Sequence, residues 1–297
     1  MKCFVTGGTG FIGTNLVNKL IDIDYEVHVI DNKIENRSLN EKATYHNIDL
    51  SCFKSVKSIK NHFKNTDIIF HLAAKARVQP SINDPVSYEK NNNLSTMNIL
   101  KIAVDFKVKR LIYSSSSSVY GNNKNMPLKE SMIPNPLSPY GAQKYYGEIL
   151  CKTFSQVYDI ETVSLRYFNV YGEGQSIGGA YSLVIGIFLD QFRKGIPLTI
   201  RGDGSQKRDF TYVGDVVSAN ILAAQSKNVG KGNVINIGNG NNTSINEIAG
   251  YIGGKKLYID PVVEPFETLA DISLAKSLLN WKPTMEVKSW IENMGKE

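Results

Sequence analysis

The sequence predicts an α/β fold, a doubly wound parallel sheet with a smaller C-terminal α/β lobe. Short apolar runs alternate with longer helical patterns through the first half of the chain, which implies parallel strands joined by crossover helices. A glycine-rich turn joins the first strand to the first helix, and beyond Asn169 the pattern becomes irregular and rich in glycine. The predicted strands are 2–6, 26–30, 44–48, 67–71, 110–115 and 161–167, and the predicted helices 11–21, 53–63, 86–106 and 138–158. Two later segments, 214–224 and 233–237, read as returns to the sheet. Residues 1–168, with a returning stretch at about 213–238, are therefore expected to form one domain, and 169–297 mainly a substrate lobe. The chain contains no internal repeat or linker, and the serine run 114–118 reads as a strand end entering a loop.

The 297 residues, 42% hydrophobic and 21% charged, suit an ordinary globular chain and exclude disorder and collagen. No apolar run approaches the roughly 20 residues that span a bilayer, so no membrane partner is expected. The N-terminus breaks from Phe4-Val5 into Gly7-Gly8 too soon for a signal peptide. Three scattered cysteines (Cys3, Cys52, Cys151) give neither a disulfide framework nor a zinc pattern. No metal is expected, and a reducing cytoplasm is the expected setting. Net charge is +6, from 34 Lys and Arg against 28 Asp and Glu. The lysines are dispersed, as at Lys54, Lys57, Lys60 and Lys64, which describes a solvated helix face rather than a nucleic-acid tail. An anionic small substrate is weakly favoured.

Gly7, Gly10 and Gly13 stand at G-x-x-G-x-x-G spacing between a predicted strand and helix. That pattern meets a specific need: a tight turn, backbone close to a pyrophosphate, and close helix–strand packing. The helix start, with Phe11 and Ile12, offers free N–H groups and a positive dipole end. Asp31 ends the second strand 18 residues after Gly13, where a carboxylate accepts hydrogen bonds from an adenosine ribose. A 2′-phosphate would be repelled there, so NAD is favoured over NADP, although Lys33 and Arg37 follow the acid. Asp49, with Leu50 beside it, is placed either to meet the adenine edge or to cap the helix at 53–63. His71 reads as a packed, hydrogen-bonded strand-end residue, and the following Leu72, Ala73 and Ala74 suit a backbone lying close to the cofactor.

Tyr140 and Lys144 stand four residues apart near the start of a predicted helix and so share one face. A tyrosine of ordinary pKa, near 10, is a poor base at neutral pH. A neighbouring ammonium and an oxidised nicotinamide would stabilise its phenolate. Serines about 24 residues upstream end the fifth predicted strand, on the edge where open α/β sheets bind ligands.

Seven segments run along nearly the whole chain: TGGTGFIG (6–13), HLAA (71–74), SSSSVYG (115–121), SPYGAQK (138–144), RYFNVYG (166–172), GDGSQKRDFTYVGD (202–215) and ADISLAKSLLNWKP (270–283). In these the sequence resembles the extended short-chain dehydrogenase/reductases, specifically the nucleotide-sugar 4-epimerases that act on UDP-glucose and UDP-N-acetylglucosamine. The resemblance implies a Rossmann fold and bound NAD. It also implies that Tyr140 takes the proton from the sugar 4-hydroxyl, that Lys144 tunes it and holds the nicotinamide ribose, and that Ser116 hydrogen-bonds the same hydroxyl. Asn169 and Arg208 match diphosphate contacts, Asp215 a structural position, and Asn92 an asparagine behind the active site. The implied reaction passes the C4 hydride to NAD+ and returns it to the other face of a 4-keto sugar. Relatives pair as homodimers through the helices matching 86–106 and 138–158.

Ser117 and Ser118 occupy positions where the 4,6-dehydratases of the family carry Asp-Glu, and decarboxylating relatives a glutamate. The residue three before Asp271 is Thr268. In the epimerases a small residue there admits an N-acetyl group, so N-acetylated UDP-sugars are favoured, with plain ones alongside. Relatives place a phosphate-binding arginine where this chain has Pro261-Val262-Val263, so either a lysine such as Lys255 or Lys256 substitutes or diphosphate affinity falls. Arg77 is placed to meet a substrate carboxylate, which makes UDP-glucuronate the alternative substrate. A non-catalytic NAD-binding protein and a reductase that releases oxidised cofactor are the remaining alternatives.

Overall fold

The computed structural model describes residues 1–34, 39–177, 183–262 and 264–294; Arg37 and Val263 lie outside the described residues. In chain order the elements are β1 (Lys2–Thr6), α1 (Phe11–Asp22), β2 (Glu26–Asp31), β3 (Thr44–Asn47), α2 (Phe53–Ser58), β4 (Ile68–His71), α3 (Val78–Asn83), α4 (Pro85–Glu89), α5 (Ser95–Asp105), β5 (Arg110–Ser116), α6 (Pro139–Val157) and β6 (Glu161–Tyr167). There follow β7 (Val170–Tyr171), α7 (Val184–Arg193), β8 (Leu198–Arg201), β9 (Lys207–Arg208), β10 (Thr211–Tyr212), α8 (Val213–Gln225), β11 (Lys231–Ile237), β12 (Thr243–Ser244), α9 (Ile245–Ile252), β13 (Lys256–Ile259), α10 (Ser273–Leu279) and α11 (Val287–Met294).

Seven strands form one sheet in the order β11-β6-β5-β4-β1-β2-β3, and every pairing within it is parallel. The apolar, β-branched runs that read as strands are buried on both faces, as parallel sheets require. The chain leaves β1 toward β2 on one side and returns to β4 on the other. The cleft at the carboxyl ends of β1 and β4 is therefore the switch point at which such sheets bind ligands.

Helix α1 places Gly13, Leu16, Val17 and Leu20 on one face. These pack with α8 and the residues of β1, β6 and β11 into one apolar layer. The opposite layer joins Phe4, Ile69, Leu100, Leu111 and Phe154 under α5 and α6. A third cluster lies beyond Asn169, around Phe188, Leu198, Ile248 and Trp290.

Three predicted elements take a different form. The stretch 86–106 is two helices, α4 and α5, joined by one π-helical turn at Lys90–Leu94. That turn aims Asn92 inward, where its side chain accepts from the Lys75 N–H and donates to the Lys75 carbonyl and Gln143. The stretch 53–63 is an α-helix only to Ser58, followed by a 3₁₀ turn at Lys60–Phe63 that inserts Phe63 against Phe4 with ring centroids 4.2 Å apart. Segment 214–224 returns to the sheet as helix α8 on its face, whereas 233–237 returns as the edge strand β11. Among the described residues no helix is long and apolar enough to cross a membrane.

Candidate active site

The loop after β1 closes on itself: Gly10 N–H donates to the Gly7 carbonyl, and Gly7 N–H to the Ile30 carbonyl on β2. Gly7 has φ +69°, and a Cβ there would stand 2.8 Å from the Ala73 backbone. A Cβ on Gly13 would stand 2.1 Å from the Gly7 carbonyl oxygen. Both positions therefore exclude any side chain, and the exclusion draws β1, α1 and the Leu72-Ala73 backbone together. Leu72 and Ala73 are held there by N–H bonds to the Thr6 carbonyl and hydroxyl. No side chain caps the N-terminus of α1 at Gly10. The first-turn amides of Phe11 and Ile12 face the loop and are suited to a phosphate.

Asp31 ends β2 with one carboxylate oxygen accepting the Thr9 N–H (3.2 Å) and the other the Lys33 N–H (3.0 Å). These bonds orient the carboxylate beside the glycine loop, and each oxygen retains a lone pair for a ribose hydroxyl. Asp49 does not cap α2, whose N-cap is Cys52. Its Oδ1 instead accepts both the N–H and the hydroxyl of Ser51, which shapes the turn before the helix. Leu50 is buried, its carbonyl held by Asn98. Ala74 continues the same half-buried backbone toward Arg77. The glycine cradle, the uncapped helix start and the Asp31 carboxylate together fit an NAD pyrophosphate and ribose.

Ser138 caps α6 through the Gly141 N–H, and Pro139 occupies its first turn, so Tyr140 and Lys144 start a well-defined helix. Lys144 is buried. Its Nζ donates to the Ser114 carbonyl at 2.6 Å and lies 5.0 Å from the Tyr113 ring centroid and 6.0 Å from that of Tyr140. Burial pushes its pKa down to about 8. Ser116, at the end of β5, hydrogen-bonds the Tyr140 phenol, and the Arg77 charge also favours its ionised form. Burial acts the other way and is the larger effect, so the Tyr140 pKa in the chain alone lies above 10. Among the chain's own groups Ser116 and Arg77 favour the phenolate, and the Lys144 ammonium stands on the same helix face near the ring.

His71 is packed as expected. Its ring bridges the Thr6 hydroxyl (2.7 Å) and the Thr96 hydroxyl (3.0 Å), and burial lowers its pKa to about 3, which keeps it neutral. Asp215 holds Thr284 and Met285, a structural position.

Asn169 Nδ2 donates to the Asp209 carbonyl and to the Thr268 hydroxyl (3.3 Å), and Thr268 Oγ1 also accepts the Asp209 N–H. Arg208 is largely buried, with one nitrogen on the Lys207 and Phe266 carbonyls and another 2.8 Å from Glu264. The residue missed by sequence reasoning here is Asp209. Its carboxylate accepts three backbone N–H groups, from Asn239, Gly240 and Ala270. These donors lie 30 to 61 residues away, and no local pattern announces them. Lys255 and Lys256 stand at the start of β13, the far end of that strand from Pro261. β13 runs parallel to β8 with Lys256 opposite Leu198 and Ile259 opposite Arg201, which puts Lys256 about 10 Å from that end at 3.3 Å per residue. Arg201 is a cation at that end, exposed beside the Gly202 turn.

Residues 3–238 match the model of the NAD dependent epimerase/dehydratase family. A putative UDP-glucose 4-epimerase of Methanocaldococcus jannaschii is 39% identical over 98% of this chain and 96% of its own. A UDP-glucuronate 4-epimerase of Thermodesulfobacterium geofontis is 33% identical over 97% of this chain and 93% of its own. The solved structure of a UDP-N-acetylglucosamine 4-epimerase from Methanobrevibacter ruminantium, in complex with UDP-N-acetylmuramic acid, superposes with a TM-score of 0.91. It is 36% identical and covers 99% of this chain and 97% of that one. A glycine cradle at the switch point, an acid ending β2 and a Ser116–Tyr140–Lys144 group across the cleft thus accompany relatives of matching length, and the chain belongs to the NAD-dependent epimerase/dehydratase family.

Proposed function

We propose that the protein is an NAD-dependent UDP-sugar 4-epimerase that interconverts UDP-N-acetylglucosamine and UDP-N-acetylgalactosamine, with UDP-glucose and UDP-galactose as further substrates. The observation that carries this reading is Ser116, Tyr140 and Lys144 gathered at the end of β5, in a segment whose neighbours Ser117 and Ser118 are hydroxyls. Ser118 donates its N–H to the Ser116 hydroxyl, which in turn donates to the Ser118 hydroxyl. Neither hydroxyl can act as the second acid or base that dehydration at C5 and C6 requires.

The glycine cradle, Asp31, Asp49, Leu50, Leu72, Ala73 and Ala74 would hold NAD, which would supply the hydride acceptor and donor for C4. Tyr140 takes the proton from O4 as the substrate is oxidised to the 4-keto sugar. Ser116 donates to that oxygen and keeps it in line with Tyr140. Lys144 holds the nicotinamide ribose and adds positive charge beside the phenol. After the keto sugar turns over, Tyr140 returns the proton to O4 on the opposite configuration. Asn169 and Arg208 hold the diphosphate, with Glu264 as the counter-charge that Arg208 leaves or shares. Thr268, small and buried beside Asn169, leaves space for the N-acetyl group.

Arg77 supports a second reading. Its charge reaches Tyr140, and a uronic acid would bring a carboxylate to that place. UDP-glucuronate is therefore the alternative substrate.

The second lobe, residues 169–297 with their own apolar cluster, is assigned to the UDP-sugar, and residues 1–168 with 213–238 to NAD. Exposed Val86, Tyr146 and Ile149 on α4 and α6 support pairing of two copies through these helices. Three unpaired cysteines support a reducing cytoplasm.

Proton NMR of the purified protein with UDP-N-acetylglucosamine and no added cofactor tests the reading. A galacto-configured anomeric signal is expected, and Tyr140→Phe should slow it by roughly 10²–10⁴-fold. Turnover of UDP-glucuronate alone, lost in Arg77→Ala, would replace the first reading by the second. No turnover of any UDP-sugar by protein with NAD bound would sink both.

A further inference from the structure

Three of the chain's four histidines, remote from one another in sequence, meet at the edge of the sheet away from the cleft. His28 is on β2 and His46 on β3. The register pairs His28 with Thr44 and Ile30 with His46, so the two imidazoles project from the same face. The 3₁₀ turn at Lys60–Phe63, anchored by buried Phe63, brings His62 over them. One ring nitrogen of each lies within 4.8 Å of the other two.

We propose that His28, His46 and His62 form a binding site for a divalent transition-metal ion that prefers imidazole, with Zn2+ as the reference ion and solvent completing the coordination. His28 Nδ1 and His46 Nε2 are 3.1 Å apart. Two nitrogens on a tetrahedral zinc, each at about 2.0–2.1 Å, stand about 3.3 Å apart, so this pair is already at ligating separation. The other nitrogen of His28, Nε2, faces the Glu26 carboxylate at 3.0 Å. That carboxylate fixes the proton on Nε2 and directs the Nδ1 lone pair toward His46, the arrangement by which a carboxylate orients a metal-bound histidine. The rings of Phe4, His28 and His46 stack, with Phe4 and His28 centroids 4.8 Å apart, so the two inner ligands are held rigidly. His62 is exposed; it adjusts by side-chain rotation and leaves the remaining coordination position open to water. Lys2, a nearby cation, lies with its ammonium 3.8 Å from the same Glu26 carboxylate and is balanced by it. An all-nitrogen set selects zinc, copper(II) or nickel(II) over magnesium or calcium.

The site would clamp β2, β3 and the 60–63 turn together, so ion binding should raise the unfolding midpoint. It lies on the strand that ends in Asp31 and contains none of the residues of the candidate active site.

The test is a Zn2+ titration of the NAD-bound protein against a chromogenic chelator, with Co2+ as a spectroscopic probe. One Zn2+ per chain is expected, with visible Co2+ bands of a four-coordinate, nitrogen-ligated ion. His62→Ala, a substitution at an exposed position, should weaken Zn2+ by roughly tenfold or more and abolish the Co2+ bands while NAD retention is unchanged. Cys52→Ser should bind as the parent does. Absence of stoichiometric uptake, equal binding by His62→Ala, or loss of binding in Cys52→Ser would each overturn the proposal.

Discussion

Lys144 Nζ donates to the backbone carbonyl of Ser114 at 2.6 Å, tying the first turns of α6 to the last residues of β5. The bond keeps Tyr140 beside Ser116, and it keeps an ammonium where burial disfavours one. The folded pKa is about 8, against an unfolded value near 10.4. Below pH 8 the folded state therefore carries the full penalty of a buried charge. Between pH 8 and about 10.4 the unfolded chain holds the extra proton, and the penalty falls as pH rises. A Lys144→Met chain, compared with the parent after both are freed of nucleotide, should melt a few degrees higher near pH 7. The gain should shrink toward pH 10, and turnover should be lost. Calorimetry at the two pH values checks this; a gain over the parent no larger at pH 7 than at pH 10 would contradict it.

Gly13→Ala tests the cradle. The added methyl would sit 2.1 Å from the Gly7 carbonyl oxygen and 2.7 Å from the Gly8 Cα, both backbone atoms that cannot swing aside. Overpacking of this kind costs about 1–3 kcal/mol, and the displaced loop would no longer match a pyrophosphate. The variant should purify with little or no NAD and with a lowered melting temperature. Nucleotide released on acid precipitation, measured per chain, decides the first point; parental NAD content would show that the loop tolerates the shift.

Much of this site was legible because its requirements are local. A turn that admits no Cβ demands glycine, and the acid that ends β2 is fixed beside that turn by the neighbouring Thr9 and Lys33 N–H groups. Strands β1 and β6 form over the predicted residues because their apolar runs are buried on both faces. The π turn at Lys90–Leu94 was not legible. It preserves helical periodicity on either side, and its cause, the bonds of Asn92 to Lys75 and Gln143, is tertiary. The tie between Arg208 and Glu264 and the histidine cluster were hidden for the same reason: their partners come together only when separate elements fold.

Asp209 is the clearest case of such a hidden role. Its Oδ1 accepts the Asn239 N–H at 2.6 Å, and its Oδ2 accepts those of Gly240 and Ala270, each at 3.0 Å. Burial pushes its pKa up to about 7. The Asp209→Asn amide can keep the Gly240 and Ala270 donors by placing its oxygen where Oδ2 stands, but it then turns its NH2 toward the Asn239 N–H and leaves that buried group unpaired. For one unpaired buried group the variant should lose about 1–3 kcal/mol. Because Asp209 also positions Asn169 and Thr268 through its backbone, UDP-sugar KM should rise. Urea unfolding and initial-rate kinetics read the two effects; an unchanged urea midpoint would show that the Asn239 N–H finds another partner.

Glu148 and Arg166 form a buried bidentate pair, Nε to Oε1 at 2.8 Å and Nη2 to Oε2 at 2.7 Å, beneath the active-site end of β5. Ser115 donates to the same Glu148 oxygen, and the Arg166 guanidinium lies 4.6 Å from the Tyr120 ring centroid. Removing one charge leaves the other buried without its counter-ion, a loss of about 3–5 kcal/mol. Glu148→Gln should therefore unfold at markedly lower urea, and kcat should fall more than KM changes because Ser116 follows Ser115 on the strand. Replacing both partners with apolar residues of similar volume, Glu148→Leu with Arg166→Met, should restore much of the stability, since no charge is then stranded. If the double variant were as unstable as the sum of the singles, the pair would act through packing rather than through its charges.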